Sequence, residues 1–434
     1  MYRPSVRYIA AGLALLACLI GIRSTWRMGL ARTLAQYAIS VDASPRQQLI
    51  SRAAADEAVR LSPADPEGHH ARGIALLNAE SQTEAIKEFE LAATLRPRDY
   101  KIWLNLARAR EDAGDDHGAL EALRQAIKSA PSYAQPRWHI GNLLLRTGRT
   151  AEAFAEMRRA AESDPTFLLT LIDLAWGVFK GDAVAVQSAV QPQTTGSRVT
   201  LANILAKRGK PAEAIAVFRD AVNATSADHR QMVAELIAAK HFSEAYKLWS
   251  SGPDRSNAAA SSGIAALTDG GFEGQINLDD RGFGWQLQRE PSGFAVSRDT
   301  TEPRAGAYCL RMEWKGNSNP GIPVISQLVL TEANTRYQLR FAIRTKEIVS
   351  GGLPWIVVTD MSAAPQFLAA STPLPAGTNS WQEFTLEFES GNNTRAVLIT
   401  LQRQTCGNGQ CPVFGFLWLD ALSLQKQSEQ NNTS

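Results

Sequence analysis

The feature that most constrains this sequence is a period of 34 residues in its first half. Prolines recur at Pro63, Pro97, Pro131 and Pro165, so each interval is 34 residues. Four further positions keep this phase, three occupied by small residues and one by a large apolar residue: Gly73, Ala107 and Gly141; Ala85, Ala119 and Ala153; Ala92, Ala126 and Ala160; Phe89, Leu123 and Met157. Such a period predicts stacked helix pairs, because one pair cannot bury its apolar face alone.

These residues resemble the repeat of the tetratricopeptide family. Four units fit without insertion, over residues 32–65, 66–99, 100–133 and 134–167. The pattern weakens after residue 167 and returns at Gly209, Ala214, Phe218 and Ala221. The resemblance implies an α-solenoid over residues 31–250 with a groove for a protein partner. By position, the groove face carries His70, Arg108, Trp138, Asn142 and Arg146. The alternative is that these side chains only solvate or pack the inner face.

An apolar segment precedes the repeats. Residues 8–22 contain no charge or proline, and arginines flank them on both sides. They are shorter than the roughly 20 residues that span a bilayer, but a helix can continue to Leu30 if Arg23 and Arg27 extend to the headgroups. Residues 1–30 therefore predict an N-terminal membrane anchor or signal segment. We favour an uncleaved transmembrane helix. A lipoprotein signal ending at Cys18 and a cleaved secretory signal are the alternatives.

The C-terminal part has a period of two. Residues 251–267 are rich in Ser, Ala, Gly and Asn, which predicts a linker. Beyond it, apolar and polar residues alternate, as at Tyr337, Leu339, Phe341 and Ile343. Many short alternating segments predict a β-sandwich over residues 268–425, and residues 426–434 a disordered tail. The expected fold class is therefore multidomain, with an N-terminal transmembrane helix, an α-solenoid and an all-β domain.

Four motifs of this β-domain resemble the carbohydrate-binding modules of families 4, 9 and 22, which are galactose-binding-like jelly rolls. They are Gly270-Gly271-Phe272-Glu273, Gly284-Trp285, Gly306-Ala307-Tyr308-Cys309-Leu310-Arg311 and Leu417-Trp418-Leu419-Asp420. The resemblance implies a bound glycan and a structural Ca²⁺ where the first and last strands meet. Glu273 and Asp420 occupy the matching positions. The alternative is that both acids are ordinary surface residues.

A glycan site needs an aromatic platform for the sugar face and planar polar groups for its hydroxyls. Trp285 and Trp355 are the candidate platforms, although core packing is the alternative for both. Arg340, Arg344 and Gln402 point away from the core by the alternation, so we expect them on an open sheet face.

The cysteines bear on the compartment. Cys406 and Cys411 bracket a turn-forming stretch, which predicts a disulfide if the compartment is oxidising, with free thiols as the alternative. We do not expect the pair to bind zinc, because a zinc site needs two more ligands and no histidine follows His241. Together with the resemblance of the β-domain, this cysteine pair predicts that the bulk of the chain lies in the bacterial periplasm, attached to a single-pass inner-membrane helix. The flanking arginines leave the orientation open.

No catalytic motif occurs in the sequence. It has no nucleophile elbow, phosphate-binding glycine loop or histidine cluster with metal spacing, so we expect no enzyme. The net charge of +2 does not indicate a nucleic-acid partner. We therefore expect a membrane-anchored adaptor that joins a protein partner to a glycan. By analogy, such an adaptor would act in the assembly or export of surface polysaccharide. The alternative is a structural scaffold without a sugar ligand.

Overall fold

The structure is a computed structural model. It describes residues 4–40, 45–252, 266–287 without 277 and 279, and 293–427 without 318 and 407–410. Most of the predicted linker and tail, residues 253–265 and 428–434, therefore lies outside the described residues. Contacts divide the chain into two compact units, Met1–Gln191 and Pro192–Ser434.

The first unit is helical. Its described helices are α1 Pro4–Ser40, α2 Pro45–Leu61, α3 Pro66–Asn78, α4 Gln82–Leu95, α5 Tyr100–Asp112, α6 Asp116–Ser129, α7 Ala134–Arg146, α8 Thr150–Ser163, α9 Phe167–Val178 and α10 Ala183–Val190. The helices pack as successive antiparallel pairs in the predicted 34-residue register. Gly114 and Gly148 lie in the turns after α5 and α7 with φ of 79°, which costs a glycine little.

The repeating small residue lies where the two helices of a pair touch. A Cβ added at Gly73 would lie 2.6 Å from Cε1 of Phe89, and one at Gly141 would overlap Cγ of Met157. The intervening unit has Ala107 and Leu123 at these two places, both buried. A larger residue on one helix is thus matched by a smaller one on its partner, which fixes the distance between the helices.

Helix α1 is continuous across the predicted boundary between anchor and repeats. Its segment Ala11–Ser40 is long and apolar enough to cross a membrane, with a mean hydropathy of 1.3, although a signal sequence passes the same test. Its last turns bury Ala31, Ala35 and Ala38 against α2 and α3. The apolar segment and the first helix of the first repeat are therefore one helix.

The second unit combines helices and strands. Its described elements are α11 Thr195–Lys207, α12 Pro211–Arg219, α13 Ser226–Ala238 and α14 Phe242–Ser250, followed by β1 Gln286–Leu287, β2 Phe294–Asp299, β3 Cys309–Asn317, β4 Ile325–Leu330, β5 Arg336–Ser350, β6 Pro354–Asp360, β7 Gln366–Ala370, β8 Gly377–Glu389, β9 Ala396–Arg403 and β10 Pro412–Lys426.

The ten strands form two antiparallel sheets. The first sheet has the order β1-β4-β9-β6-β7 and the second has the order β2-β3-β10-β5-β8. Apolar side chains from both sheets share one core, including Val329 and Ile399 from the first sheet and Leu339 and Leu417 from the second. The predicted fold class, a helical repeat region followed by a β-sandwich, is confirmed.

Helix α14 packs on the segment that leads into β1. The indole N–H of Trp249 donates to Oδ1 of Asp280 at 2.9 Å, and its ring centre lies 5.4 Å from that of Phe283. Tyr246 contacts the same phenylalanine at 5.1 Å. The last helix pair and the sandwich are thus joined by an aromatic cluster within one compact unit.

Candidate functional sites

The first helices of successive repeats present one row of side chains. We call this row, formed by His70, Arg108, Trp138, Asn142 and Arg146, the first-helix face. Three contacts run along it from helix to helix. They are a hydrogen bond of 2.7 Å between His70 Nε2 and Asn105 Nδ2, an ion pair between Arg146 and Glu111, and ring packing of Trp138 on Phe167 at 4.9 Å. The structure therefore brings all five predicted partner-binding residues onto the first helices α3, α5 and α7.

These five residues differ in exposure. Arg108 and Arg146 are exposed, whereas His70, Trp138 and Asn142 are half-buried. Burial lowers the pKa of His70, so its imidazole is held neutral at neutral pH. Within the described part of the chain, Arg108 makes no hydrogen bond or ion pair. The face thus offers a guanidinium, an amide and an indole ring to a partner.

A polar pair behind this face was missed by the sequence reasoning. The buried imidazole of His69 contacts Oε2 of Glu88 through Nδ1 at 2.7 Å and the carbonyl oxygen of Pro63 through Nε2 at 2.8 Å. Both acceptors are oxygen atoms, so both ring nitrogens must carry protons to satisfy them. The hydrogen bond that His69 donates to Glu88 accordingly raises the pKa of His69.

The same contacts recur at the 34-residue period. The indole N–H of Trp103 donates to the carbonyl oxygen of Pro97 at 2.8 Å, as His69 does to Pro63. Arg137 contacts Glu156 at 3.1 Å, as His69 does Glu88 two units earlier. The 34-residue phase of the repeat is therefore the sequence signal that could have located the His69–Glu88 pair.

The predicted glycan residues are not gathered in one site. Trp285 is 5% exposed, its ring packs on Phe272 at 5.2 Å, and its N–H donates to the carbonyl oxygen of Asp269. A sugar cannot stack on a ring that is enclosed in this way. Trp285 is therefore a core residue and not a surface platform, which corrects our reading of it.

The two arginines lie on β5 in the second sheet. Exposed Arg340 donates to Gln338 at 2.7 Å. Arg344 is held within the protein, because it donates to Glu302 at 2.6 Å and its guanidinium lies 4.2 Å from the ring centre of Trp418. Arg344 thus stabilises the sheet face. Its side chain is only 14% exposed, so little of it is accessible to a ligand.

Trp355 and Gln402 lie together in the first sheet. They face each other across the β6–β9 pair and are both half-buried. Among the described residues, no acceptor lies within hydrogen-bonding distance of the buried Nε1 of Trp355. This pair is what remains of the predicted glycan site, and it lies in the sheet opposite to that of Arg340 and Arg344.

Glu273 and Asp420 meet at one turn. Oε1 of Glu273 accepts backbone N–H groups of Ala307 and Tyr308, at 2.9 and 3.3 Å. Buried Asp420 accepts those of Arg304 and Ala305 at 2.8 and 3.0 Å, and that of the following residue. Burial raises the pKa of Asp420, and the nearby charge of Glu273 adds to this shift.

The two carboxylates are only a partial donor set for a cation. Each carboxylate offers about four lone pairs, so the N–H groups leave one on Asp420 and two on Glu273. A hard cation would bind these oxygen atoms and offset the repulsion between the two acids. No group of three or more His, Cys, Asp or Glu side chains suited to a metal occurs among the described residues. Carbonyl oxygens of the turn would therefore have to complete the coordination.

Cys406 and Cys411 are joined by a disulfide. It closes the connection from β9 in the first sheet to β10 in the second. Cys18 is a free and exposed thiol on α1, and Cys309 is a free and buried one on β3. Burial raises the pKa of the Cys309 thiol to about 11.

Comparisons with known proteins bear on the helical part. A tetratricopeptide repeat model matches residues 104–166. DnaJ homolog subfamily C member 3 of Rattus norvegicus is 30% identical over 103 residues, which is 24% of this chain and 20% of that protein. The match thus spans only a fifth of that relative.

Solved structures with similar helices include PilF of Pseudomonas aeruginosa, 15% identical over 45% of this chain and 90% of that chain, with a TM-score of 0.33. MamA is 15% identical over 46% and 91%, with a TM-score of 0.31. YrrB, described as a TPR protein with an unusual peptide-binding site, is 16% identical over 38% and 84%, with a TM-score of 0.30. Scores this low support no inference from those proteins to this one. The family match identifies residues 104–166 as tetratricopeptide repeat sequence.

Proposed function

We propose that this chain is a non-catalytic adaptor that holds a protein partner on its first-helix face and is tethered to a membrane by α1. The observation that carries the proposal is the row of first helices α3, α5 and α7, which are in register and joined by direct contacts. A rigid row of this kind can bind an extended or helical segment without being reorganised, so little binding free energy is spent on ordering it.

The chemistry of the face suits a peptide with acidic and apolar side chains. Arg108 can pair with a carboxylate, the amide of Asn142 can hydrogen-bond a peptide group, and the ring of Trp138 supplies apolar contact area. Aromatic and arginine side chains of this kind carry much of the binding free energy in protein interfaces.

The test compares what co-purifies with the full chain in mild detergent. Arg108→Glu and Asn142→Ala should each reduce recovery of the same bound protein by tenfold or more, whereas Gln125→Ala, at an exposed position of α6, should leave it unchanged. Equal recovery by all three variants would contradict binding at this face.

The membrane and compartment are also part of the proposal. Helix α1 spans the inner membrane, and the repeats and the sandwich lie in the periplasm. Two observations support this arrangement: the length and hydropathy of Ala11–Ser40, and the Cys406–Cys411 disulfide, which persists in oxidising compartments. The lipoprotein and secreted forms remain the alternatives.

A glycan is the second ligand that we propose, with Trp355 and Gln402 as its contacts, in surface polysaccharide assembly or export. Their placement opposite each other on β6 and β9 favours it. On a glycan array, the full chain should bind a defined set of sugars, and Trp355→Ala should abolish that binding. If the wild-type chain binds nothing on the array, the sandwich acts as a protein scaffold instead.

A further inference from the structure

The disulfide at the end of the sandwich lies against an arginine. Arg403, the last residue of β9, is 3% exposed. Its Nη2 lies 3.2 Å from Sγ of Cys411, and the same nitrogen donates to the carbonyl oxygen of that cysteine at 2.8 Å. Burial lowers the pKa of Arg403, but a guanidinium keeps its proton at neutral pH. A buried positive charge therefore touches one of the two sulfur atoms.

Further contacts fix the arginine in this position. Nη2 donates to Oγ of Ser350 at 3.0 Å, and Nε donates to the carbonyl oxygen of Gly352 at 3.2 Å. The side chain thus ties the turn between β5 and β6 to the start of β10. These contacts hold the guanidinium beside Cys411.

The two sulfur atoms have different surroundings. The guanidinium of Arg403 lies beside Sγ of Cys411. This sulfur atom also lies 3.1 Å from the position that a Cβ on Gly352 would occupy. Sγ of Cys406 lies 3.2 Å from the corresponding point of Gly351, which is exposed and has no side chain to cover it. Negative charge is thus stabilised on Cys411, which favours attack by a reagent on Cys406.

We propose that Cys406–Cys411 is a redox-active disulfide, with Cys406 as the sulfur that is attacked and Cys411 as the leaving thiolate stabilised by Arg403. The co-reactant is a dithiol reductant. Its first thiolate forms a bond to Sγ of Cys406, and the bond between the two cysteines breaks, with its electron pair passing to Sγ of Cys411. The second thiolate of the reductant then attacks the mixed disulfide and releases Cys406 as a thiolate. The reductant is oxidised to a disulfide, and the cysteine pair is reduced by two electrons.

A positive charge beside a sulfur favours the thiolate over the thiol and makes that sulfur a better leaving group. It thereby stabilises the reduced form relative to the disulfide. The pair should therefore be reduced more readily than a structural disulfide of the same loop length. Cys309 provides an internal reference, since burial raises its pKa to about 11 and keeps it unreactive at neutral pH.

The test uses the full chain in detergent with Cys18→Ser as background, so that the exposed thiol does not interfere. In single variants that each retain one thiol of the pair, with buried Cys309 unchanged, alkylation by iodoacetamide is followed against pH. Cys411, retained in Cys406→Ser, should react with a lower thiol pKa than Cys406, retained in Cys411→Ser. Equal pKa values for the two thiols would overturn the assignment of the leaving group.

A second measurement addresses the arginine. In dithiothreitol redox buffers, Arg403→Gln should lower the equilibrium constant for reduction of the pair about tenfold, which is about 30 mV for a two-electron couple. Arg403→Lys, which keeps the charge, should lie between this variant and the wild type. An unchanged constant in a folded Arg403→Gln chain would exclude a redox role for the guanidinium. If Arg403→Gln does not fold, the Lys variant and the thiol pKa comparison decide.

Discussion

Contact between the paired helices is set by single residues. Gly141 leaves no room for a methyl group, because Met157 and the carbonyl oxygen of Ala153, 3.1 Å from the added Cβ, already occupy the space. Gly177 on α9 differs, since nothing lies within 4 Å of its added Cβ. The two glycines thus allow the cost of a methyl group to be separated from the helix preference of alanine.

We predict that Gly141→Ala lowers the free energy of unfolding by about 1–3 kcal/mol through overpacking. Gly177→Ala should raise it by about 0.5–1 kcal/mol, because alanine favours a helix over glycine. Adding Met157→Leu to Gly141→Ala should recover part of the loss, because Ala107 with Leu123 is the natural combination one unit earlier. Urea unfolding of the full chain measures all three. Equal effects of the two alanine variants would contradict the repeat register.

His69 gives the first repeats a dependence on pH. Its pKa is raised in the folded chain, so the stability that it contributes is fully present below the ordinary value of 6.5 and is lost as pH rises through the raised value. Arg72 opposes this shift from the same helix. His70 has a pKa lowered by burial, so the stability that it contributes increases as pH rises toward 6.5.

The effect of His69 must therefore be measured as a difference between chains. We predict that wild-type stability relative to His69→Arg falls above pH 6.5, by at most about 1.4 kcal/mol per pH unit for one proton. Arginine is the matched replacement, because Arg137 makes the equivalent contact with Glu156 and the guanidinium introduced at position 69 keeps its charge over this pH range. Chemical unfolding at several pH values measures the difference. A constant difference from pH 5 to 9 would show that the pKa of His69 is the same in the folded and unfolded chains.

At the scale of elements, the sequence period of each region predicted those structural features that depend on residues close together in the sequence. The 34-residue phase predicted the helix pairs and the close contact at Gly141, because both depend on residues within one unit. Alternation predicted that Arg340, Arg344 and Gln402 point away from the core. It could not predict that β5 and β9 belong to opposite sheets, since strand order is set by long-range pairing.

Two other features also escaped sequence reasoning for physical reasons. Hydropathy shows where an apolar segment ends but not where its helix ends, so the continuity of α1 into the first repeat was not visible. An indole fits a core and a sugar site equally well by composition, and only the enclosing contacts of Trp285 distinguish the two.

The turn that holds Glu273 and Asp420 also has a testable consequence. If Ca²⁺ binds there, it stabilises the folded chain by about 2.7 kcal/mol at a concentration 100 times its dissociation constant. We predict that the sandwich melts several degrees higher in millimolar calcium than in chelator, and that Glu273→Gln removes most of this difference. Circular dichroism of the strands measures it. Identical melting with and without chelator would mean that the backbone N–H groups alone neutralise the two acids.

At the scale of the whole molecule, the apolar segment and the first repeat share one continuous helix, α1. Ala31, Ala35 and Ala38 are buried against the next helices, so the helix that carries the apolar segment also forms part of the repeat core. In the proposed membrane arrangement, the first repeats would be held at a fixed distance from the membrane surface, which suits a scaffold that presents one face to a partner.

We predict that the full chain stays in the membrane fraction through high-salt and carbonate washing, because a transmembrane helix is not displaced by either. Deletion of residues 8–22 should release it. Soluble chain with a new N-terminus beyond Ile22 would indicate a cleaved signal. Lipid labelling that is lost in Cys18→Ser would indicate a lipoprotein.

The central claim is that the first-helix face binds a protein partner. Photo-crosslinking in intact cells tests it most directly, with a benzoylphenylalanine placed at Arg108 or Asn142 on this face, or at Gln125 on α6. The account predicts that irradiation gives the same heavier adduct from both positions on the face and none from position 125. Adducts from all three positions alike, or from position 125 alone, would contradict it.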